Sequence, residues 1–171
     1  RQTAQEVFAY LTAGMRDERG GFYTAEDADS GGVEGKFYLW RTEEIREILT
    51  GDESKLVEAY FNLKPERNFR EEGSGVKTGE NIPHLTAALA EVAGEIGLDP
   101  VTANRLLAQA REKLFALRRQ RVHPHKDDKV LTDWNGLLLA ALAKGGRILK
   151  DPCWTQMAEG VAQFFLTVMR T

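Results

Sequence analysis

Apolar side chains recur at helical spacing along most of this chain, and this periodicity constrains the fold more than any other feature. Leu85, Leu89, Val92 and Ile96 lie four, three and four residues apart, which places them on one face of a helix. Comparable stripes lie within residues 7–15, 45–49, 56–61, 106–117, 137–143 and 157–168. The chain is therefore predicted to be all-α, with about seven helices.

Capping residues predict where these helices begin and end. Asp99 and Asp151 each precede a proline, and Asp-Pro is a typical helix start, with the aspartate as N-cap. The other predicted boundaries are an end at Gly20-Gly21, a start at Thr42, an end at Gly51 with a new start at Asp52, and a start at Thr132. Residues 137–143 are apolar on all sides of their helix, which predicts deep burial.

The order of helices and loops indicates how the helices are arranged. Short turns alternate with long loops, such as the aperiodic segment 64–79, and this alternation favours helical hairpins stacked side by side with the long loops on one face. We expect residues 1–171 to form a single segment, an incomplete α/α toroid. Two aromatic runs, Phe22-Tyr23 and Phe37 to Trp40, flank an acidic loop and predict a short β-hairpin or flap near residues 21–40.

Charge and cysteine content exclude several classes of function. The net charge of −3 gives no electrostatic basis for binding nucleic acid. No run of about 18 apolar residues is present, so no membrane span is predicted. The one cysteine, Cys153, rules out a disulfide within the chain and favours a reducing, cytoplasmic location. The N-terminus lacks an initiator Met, and the chain is expected to be an excised segment of a longer protein.

The acidic loop is the first candidate site. The carboxylates of Glu26, Asp27 and Asp29 are close enough in sequence to form an acid/base pair or to hold a hard cation. An EF-hand is excluded, because Gly31 and Tyr38 occupy the fifth and twelfth positions, where oxygen ligands are required. A solvated turn rich in Asp, Ser and Gly remains the alternative.

A second candidate site runs from His123 to Asn135. Asp127, Asp128 and Lys129 could transfer protons, and an epimerase would need a base such as His123 or His125. Trp134 and Asn135 could offer a stacking face and an amide to a sugar. The structural alternatives are an Asp128–Lys129 ion pair, a core tryptophan and a capping asparagine. His123 and His125 have no Cys or third His nearby, so no metal site is predicted, and no other cofactor is indicated.

Residues 73–79 resemble a phosphate-binding loop only superficially. Val76 separates Gly75 from Lys77, and this breaks the P-loop pattern. We therefore do not expect a nucleotide site in this loop.

Three segments carry a resemblance to a known family. They are Gly20 to Ser30, Glu34 to Trp40 and Asp127 to Leu137, which read GGFYTAEDADS, EGKFYLW and DDKVLTDWNGL. They are similar to hallmark segments of the spermatogenesis-associated protein 20 family, whose bacterial members include YyaL-type proteins. The resemblance implies a thioredoxin-like domain followed by a six-hairpin, glycosidase-like α/α toroid, of which this chain would be an internal part.

The resemblance and the residues together suggest two functions. In the first, the chain is part of a carbohydrate-active enzyme, glycosidase-like or epimerase-like. Its acid/base groups would come from Glu26, Asp27 and Asp29 with Asp127 or Asp128, while Tyr23 and Trp134 stack on the sugar and Lys129 and Asn135 contact it. In the second, the chain is a binding or scaffold module for the attached thioredoxin-like domain. An incomplete ring also leaves apolar faces uncovered, so self-association is expected.

Overall fold

The computed structural model describes residues 1–66, 68–69 and 79–169. Within this part of the chain it contains seven α-helices and four strands of two residues each. In chain order the elements are α1 Gln2–Gly14, β1 Ala25–Glu26, β2 Asp29–Ser30, β3 Val33–Glu34, α2 Thr42–Ile48, α3 Gly51–Tyr60, α4 Leu89–Glu95, α5 Pro100–Arg118, β4 Lys126–Asp127, α6 Thr132–Leu149 and α7 Pro152–Thr167. The prediction of a mainly helical chain is confirmed.

The chain divides into two compact units. The first unit combines Arg1–Asp27 with His125–Thr171, and the second is the continuous segment Ala28–Pro124. The first unit therefore brings together the two ends of the chain. It contains Glu26 and Asp27 of the first predicted site and the part of the second site from His125 to Asn135. Most of the loop considered as a phosphate site, residues 73–78, lies outside the described residues.

In the first unit, α6 and α7 form a tightly packed antiparallel pair that α1 joins. The rings of Phe8 on α1 and Trp154 on α7 meet edge to face with centroids 4.3 Å apart. Their approach requires Gly145 on α6, because a Cβ atom at that position would overlap the Trp154 ring. The core of this unit consists of Met15, Phe22, Leu142, Trp154, Ala158 and Val161.

In the second unit, α5 is the central helix and packs against α2, α3 and α4. Its Ala110 is fully buried in one apolar cluster with Trp40 and Val57, and its Ala103 in another with Leu56. The Arg121 guanidinium donates to the carbonyl oxygens of Phe37 (2.9 Å) and Leu39 (2.7 Å) and lies 4.0 Å from the Trp40 ring centroid. These contacts fix the segment from Phe37 to Trp40, in which Trp40 also forms an isolated bridge with Asn81.

The helix boundaries follow the Asp-Pro signals and depart from several others. Asp99 and Asp151 are N-caps whose carboxylates accept backbone N–H groups, as predicted. The predicted end at Gly20-Gly21 was wrong, because α1 ends at Gly14 and Gly20 lies in a following turn with φ of +114°. The remaining predicted boundaries were shifted by a residue or more. Helices α2 and α6 have Arg41 and Leu131 as N-caps in place of Thr42 and Thr132. Helix α3 begins at Gly51 with Thr50 as its N-cap, and α4 begins at Leu89, not Leu85.

The strands pair differently from the aromatic hairpin that the sequence suggested. The flap exists, but it is the β2–β3 hairpin inside the acidic loop, with Asp29 opposite Glu34 and Ser30 opposite Val33. Phe22 forms an isolated bridge with Arg16 instead of pairing with the second aromatic run. The reason is local, because Gly31 and Gly32 both have positive φ and allow a two-residue turn between Ser30 and Val33.

The expected deep burial of residues 137–143 was also wrong. Leu142 is buried, but the side chain of Leu137 is 73% exposed. Among the described helices, α6 packs chiefly against α7, and apolar side chains of α6 outside this contact and the α1 contact remain in solvent. No helix in the described segments combines the length and apolar character needed to cross a bilayer.

Candidate functional site

The pairing of β1 with β4 joins the two segments that the sequence suggested as sites. Ala25 lies opposite Asp127 and Glu26 opposite Lys126 in an antiparallel register. The ribbon is extended by the N–H of Asp27, which donates to the carbonyl oxygen of His125 at 2.7 Å. Because partners in an antiparallel pair stand about 5 Å apart, the side chains of these two segments form one continuous surface.

This ribbon carries an open recess of about 530 Å³, all of it within the first unit. Its lining consists of Ala25, Glu26, Asp27, His125, Asp127, Asp128 and Lys129. Four of the five carboxylates predicted from the sequence therefore meet in one place. The fifth, Asp29, belongs to β2 in the second unit.

Asp127 of the recess accepts two hydrogen bonds from Lys129. Its Oδ2 accepts from Lys129 Nζ at 2.8 Å, and its Oδ1 accepts from the Lys129 backbone N–H at 3.2 Å. The Lys129 ammonium, through this hydrogen bond, holds the pKa of Asp127 below its ordinary value, and the same contact raises the pKa of Lys129. Asp127 is thus a carboxylate kept ionised, which suits a hydrogen-bond acceptor or a base and not an acid. The ion pair that the sequence suggested for Asp128 is made by Asp127.

Two of the other three acidic positions, Glu26 and Asp128, differ from each other. Glu26 Oε2 accepts from the Tyr10 hydroxyl at 2.9 Å, so α1 helps to orient this side chain. Asp128 is exposed, and its charge acts on Tyr23 and Lys129, where it contributes to raising the pKa of each. Asp128 thus acts on the tyrosine and the lysine of the predicted site through its charge.

Tyr23 is held from both ends. Its ring packs against the core of the first unit, and its hydroxyl donates to Asp17 Oδ2 at 3.2 Å. Burial first, and then this hydrogen bond, raise the pKa of Tyr23, while the hydrogen bond from the Arg19 side chain lowers the pKa of Asp17. The ring is committed to the core in this structure, which leaves it little surface for stacking on a sugar.

Asn135 connects the two hallmark segments of this unit through its side-chain amide. It is 2% exposed, and its Oδ1 accepts the Phe22 N–H at 2.8 Å. Its Nδ2 donates to the carbonyl oxygens of Phe22 (2.9 Å) and Leu131 (3.0 Å). All of these contacts are to backbone groups. The amide therefore pairs with the N–H and C=O of Phe22 as a neighbouring strand would, and it positions the chain that leads into β1.

Trp134, the neighbour of Asn135, faces solvent. Its side chain is 54% exposed at the start of α6. The aromatic surface that the sequence predicted is thus accessible, although Trp134 does not line the recess itself.

The two histidines of the second segment belong to different units. His125 lines the recess, whereas His123 lies in the second unit with its ring 4.8 Å from the Phe37 centroid. Among the residues that the structure describes, no three His, Cys, Asp or Glu side chains form a group that could hold a metal ion.

Sequence reasoning missed Tyr10 and Asp17, which orient Glu26 and Tyr23. Tyr10 lies on an amphipathic helix and Asp17 in a turn, and neither position differs from ordinary surface sequence. Only the tertiary fold shows that they support the recess.

Comparison with known proteins shows relatives for nearly the whole chain. Spermatogenesis-associated protein 20 of Rattus norvegicus is 32% identical over 163 residues, or 85% of this chain, and the protein of the same name in Homo sapiens is 29% identical over 94% of it. By sequence, this chain belongs to the spermatogenesis-associated protein 20 family. An uncharacterized protein of Caenorhabditis elegans is 28% identical over 96% of the chain. No protein-family model matches the chain.

The match to the spermatogenesis-associated protein 20 family is to an internal part of larger proteins. The chain spans only about a fifth to a quarter of the length of these relatives: 21% of the rat protein, 23% of the human protein and 24% of the nematode protein.

Proposed function

We propose that the chain is part of a carbohydrate-active domain and that its sugar site is the recess at the β1–β4 pairing. The observation that carries this proposal is the convergence of Glu26 and Asp27 with Asp127 and Asp128 on one open surface. Carboxylates accept hydrogen bonds from sugar hydroxyls, and paired carboxyl groups are the usual acid and base of glycoside hydrolysis. The parent architecture that fits this activity is a glycosidase-like α/α toroid. The proposed location is the cytoplasm, because the chain has a single cysteine and so no internal disulfide.

In this proposal Asp127 is the base or the charge-stabilising group. The Lys129 ammonium keeps it ionised, so the proton donor must be another group, such as Asp128. In a hydrolase, a carboxyl separation of about 5–5.5 Å would give retention and about 6.5–9.5 Å inversion of the anomeric centre. In an epimerase, His125 in the same recess would exchange the proton on carbon.

A non-catalytic binding module is the second candidate, and the engagement of the recess carboxylates favours it. Glu26 already accepts from Tyr10, and Asp127 already pairs with Lys129. Such a pre-formed polar surface can bind a sugar without catalysing a reaction when no group of the surface acts as the general acid. This module would serve the thioredoxin-like domain of the parent protein.

Saturation-transfer NMR tests the proposal with D-glucose, D-mannose, N-acetyl-D-glucosamine, maltose and cellobiose as ligands. We expect at least one sugar to receive saturation from the protein, and the signal to weaken in Asp128→Asn. Asp52→Asn, an exposed aspartate on α3, is the matched control and should leave the signal unchanged. Absence of transfer to every sugar would contradict the proposal.

A product assay then separates the two candidates. Release of monosaccharide from maltose or cellobiose, or conversion of one monosaccharide into its epimer, would identify an enzyme. Binding without any change in the sugar after prolonged incubation would identify the non-catalytic module.

A further inference from the structure

A second cavity, in the second unit, has a different chemistry from the recess. It is a groove of about 510 Å³ between α5 and the segments around α2 and α3. Its floor includes Trp40 and Leu63, which are 5% and 6% exposed, and its wall on α5 includes Ala108 and Phe115. Mostly apolar and aromatic cavities of roughly 300–1,000 Å³ with a few charged groups are typical of small-molecule sites.

The charged side chains that line the groove carry more positive than negative charge. Arg111 and Arg118 line it together with one carboxylate, Glu112. The Arg118 guanidinium lies 5.6 Å from the Phe115 ring centroid and 5.4 Å from that of Tyr38, so aromatic rings orient it. An oriented guanidinium beside an apolar floor favours an anion attached to an apolar body, because both parts of such a ligand find a matching surface.

Solvent exposure at the mouth supports the same conclusion. The Phe115 side chain is 52% exposed although it lies beside an apolar floor. A ligand that covered this ring would remove apolar surface from water, and the arginines would compensate the charge that it brings.

We propose that this groove binds a small carboxylate with an aromatic or branched aliphatic body. The proposal is independent of the carbohydrate recess, since every residue that it uses lies in Ala28–Pro124. Neutral and cationic molecules of the same shape should bind more weakly, because they lose the interaction with the guanidinium groups.

The tryptophan indole N–H signals in a ¹H–¹⁵N correlation spectrum provide the test. The chain has three tryptophans, and Trp40 lines the groove, whereas Trp134 and Trp154 lie in the first unit and act as internal controls. The probe is 1-naphthylacetate, compared with its amide and with 1-naphthylmethylamine. We expect the Trp40 signal to move with the acid at the lowest concentration, and the signals of Trp134 and Trp154 to stay in place.

Two variants locate the ligand and its charge. Ala108→Phe should fill the groove and abolish the Trp40 response, whereas Gln109→Phe, on the adjacent exposed position outside the groove, should preserve it. Arg111→Met should weaken binding of the acid about fivefold and leave binding of the amide unchanged. Arg105→Met, on the same helix, is the control and should leave both unchanged. Dispersed backbone amide signals of residues 79–124 in the ligand-free spectrum, as in the native chain, confirm that the second unit of each variant is folded.

Three results would overturn the proposal. They are no movement of the Trp40 signal up to the solubility limit of the acid, equal or tighter binding of the amide or the amine, and a full response in Ala108→Phe.

Discussion

At the residue scale, the recess is organised around one ion pair. The sequence correctly suggests a pair between an aspartate and Lys129, but it assigns the pair to Asp128, whereas the structure shows Asp127. Carboxylates and a lysine in a run of three indicate a charged site, yet they do not show which carboxylate the lysine meets. The β1–β4 register contributes to the choice, because Asp127 lies opposite Ala25 and its carboxylate accepts from both the backbone N–H and the Nζ of Lys129. Asp128, on the other hand, remains exposed.

The Lys129→Met variant tests the electrostatics of this pair. Without the ammonium, the pKa of Asp127 should rise toward its ordinary value of 3.8, and a ¹³C carboxyl NMR titration would measure the midpoint. In the native chain the lowered pKa means that the pair stabilises the fold above the ordinary aspartate pKa and that this contribution is lost as pH falls through the lowered value. Lys126→Met, one position before Asp127, is the control, and an equal rise of the midpoint in both variants would refute the assignment.

Asn135 illustrates what sequence cannot provide at this scale. An asparagine on the first turn of a helix suggests a cap or a sugar ligand, but its amide contacts Phe22, which is 113 positions away in sequence. No local pattern predicts a contact of this separation. The structure therefore favours a positioning role for a residue that the sequence suggested as substrate-binding.

Asn135→Ala should lower the free energy of unfolding by about 1–3 kcal/mol, because the buried N–H and C=O of Phe22 lose their partner. Urea denaturation would measure the loss. The exposed Asn104→Ala, whose amide donates to the carbonyl of Pro100 one turn earlier on α5, is expected to cost less than about 0.5 kcal/mol. Equal losses in the two variants would contradict the role of Asn135.

At the scale of elements, helix positions were predictable and helix ends were predictable only where side chains make the cap. Asp99 and Asp151 accept backbone N–H groups and were found from sequence. Thr42 and Thr132 were not caps, because the chain enters these helices through Arg41 and Leu131 without a side-chain hydrogen bond. The pairing of β1 with β4 was also beyond sequence, since two-residue strands carry no periodicity.

The glycines of α6 give a test of the α6–α7 packing. Gly145→Ala should lower the free energy of unfolding by about 1–3 kcal/mol, because the added methyl overlaps the Trp154 ring. Gly136→Ala on the same helix meets open space and should stabilise the chain by about 0.5–1 kcal/mol through helix propensity. Thermal denaturation of both variants would measure the difference, and a destabilisation of similar size in both would show that the close approach is not the cause.

At the scale of the whole molecule, the division into two units was not predicted. The sequence indicated one segment, whereas the first unit is assembled from both chain ends and the second from the middle. Periodicity reports which face of a helix is apolar but not which helix covers it, and this is why residues 137–143 were assigned too much burial. The family membership, by contrast, was recognisable from three short segments and is confirmed by the comparisons.

Apolar side chains on α6 predict self-association of the chain. Trp134, Leu137 and Ile148 are 54%, 73% and 70% exposed and lie on one face of the helix. We expect the sedimentation coefficient to rise with protein concentration and Leu137→Glu to suppress the rise. Val101→Glu, an exposed valine on α5, is the control, and a monomer at all concentrations would contradict the prediction.

Binding of a sugar at the β1–β4 ribbon can be tested by mapping backbone amide shifts. A ¹H–¹⁵N titration would use N-acetyl-D-glucosamine and cellobiose, or whichever sugar in the panel received saturation. We expect saturable shifts at the amides of Glu26, Asp27, Asp127 and Asp128, with no comparable change on α3 or α5. Shifts confined to other parts of the chain, or none at all, would contradict it.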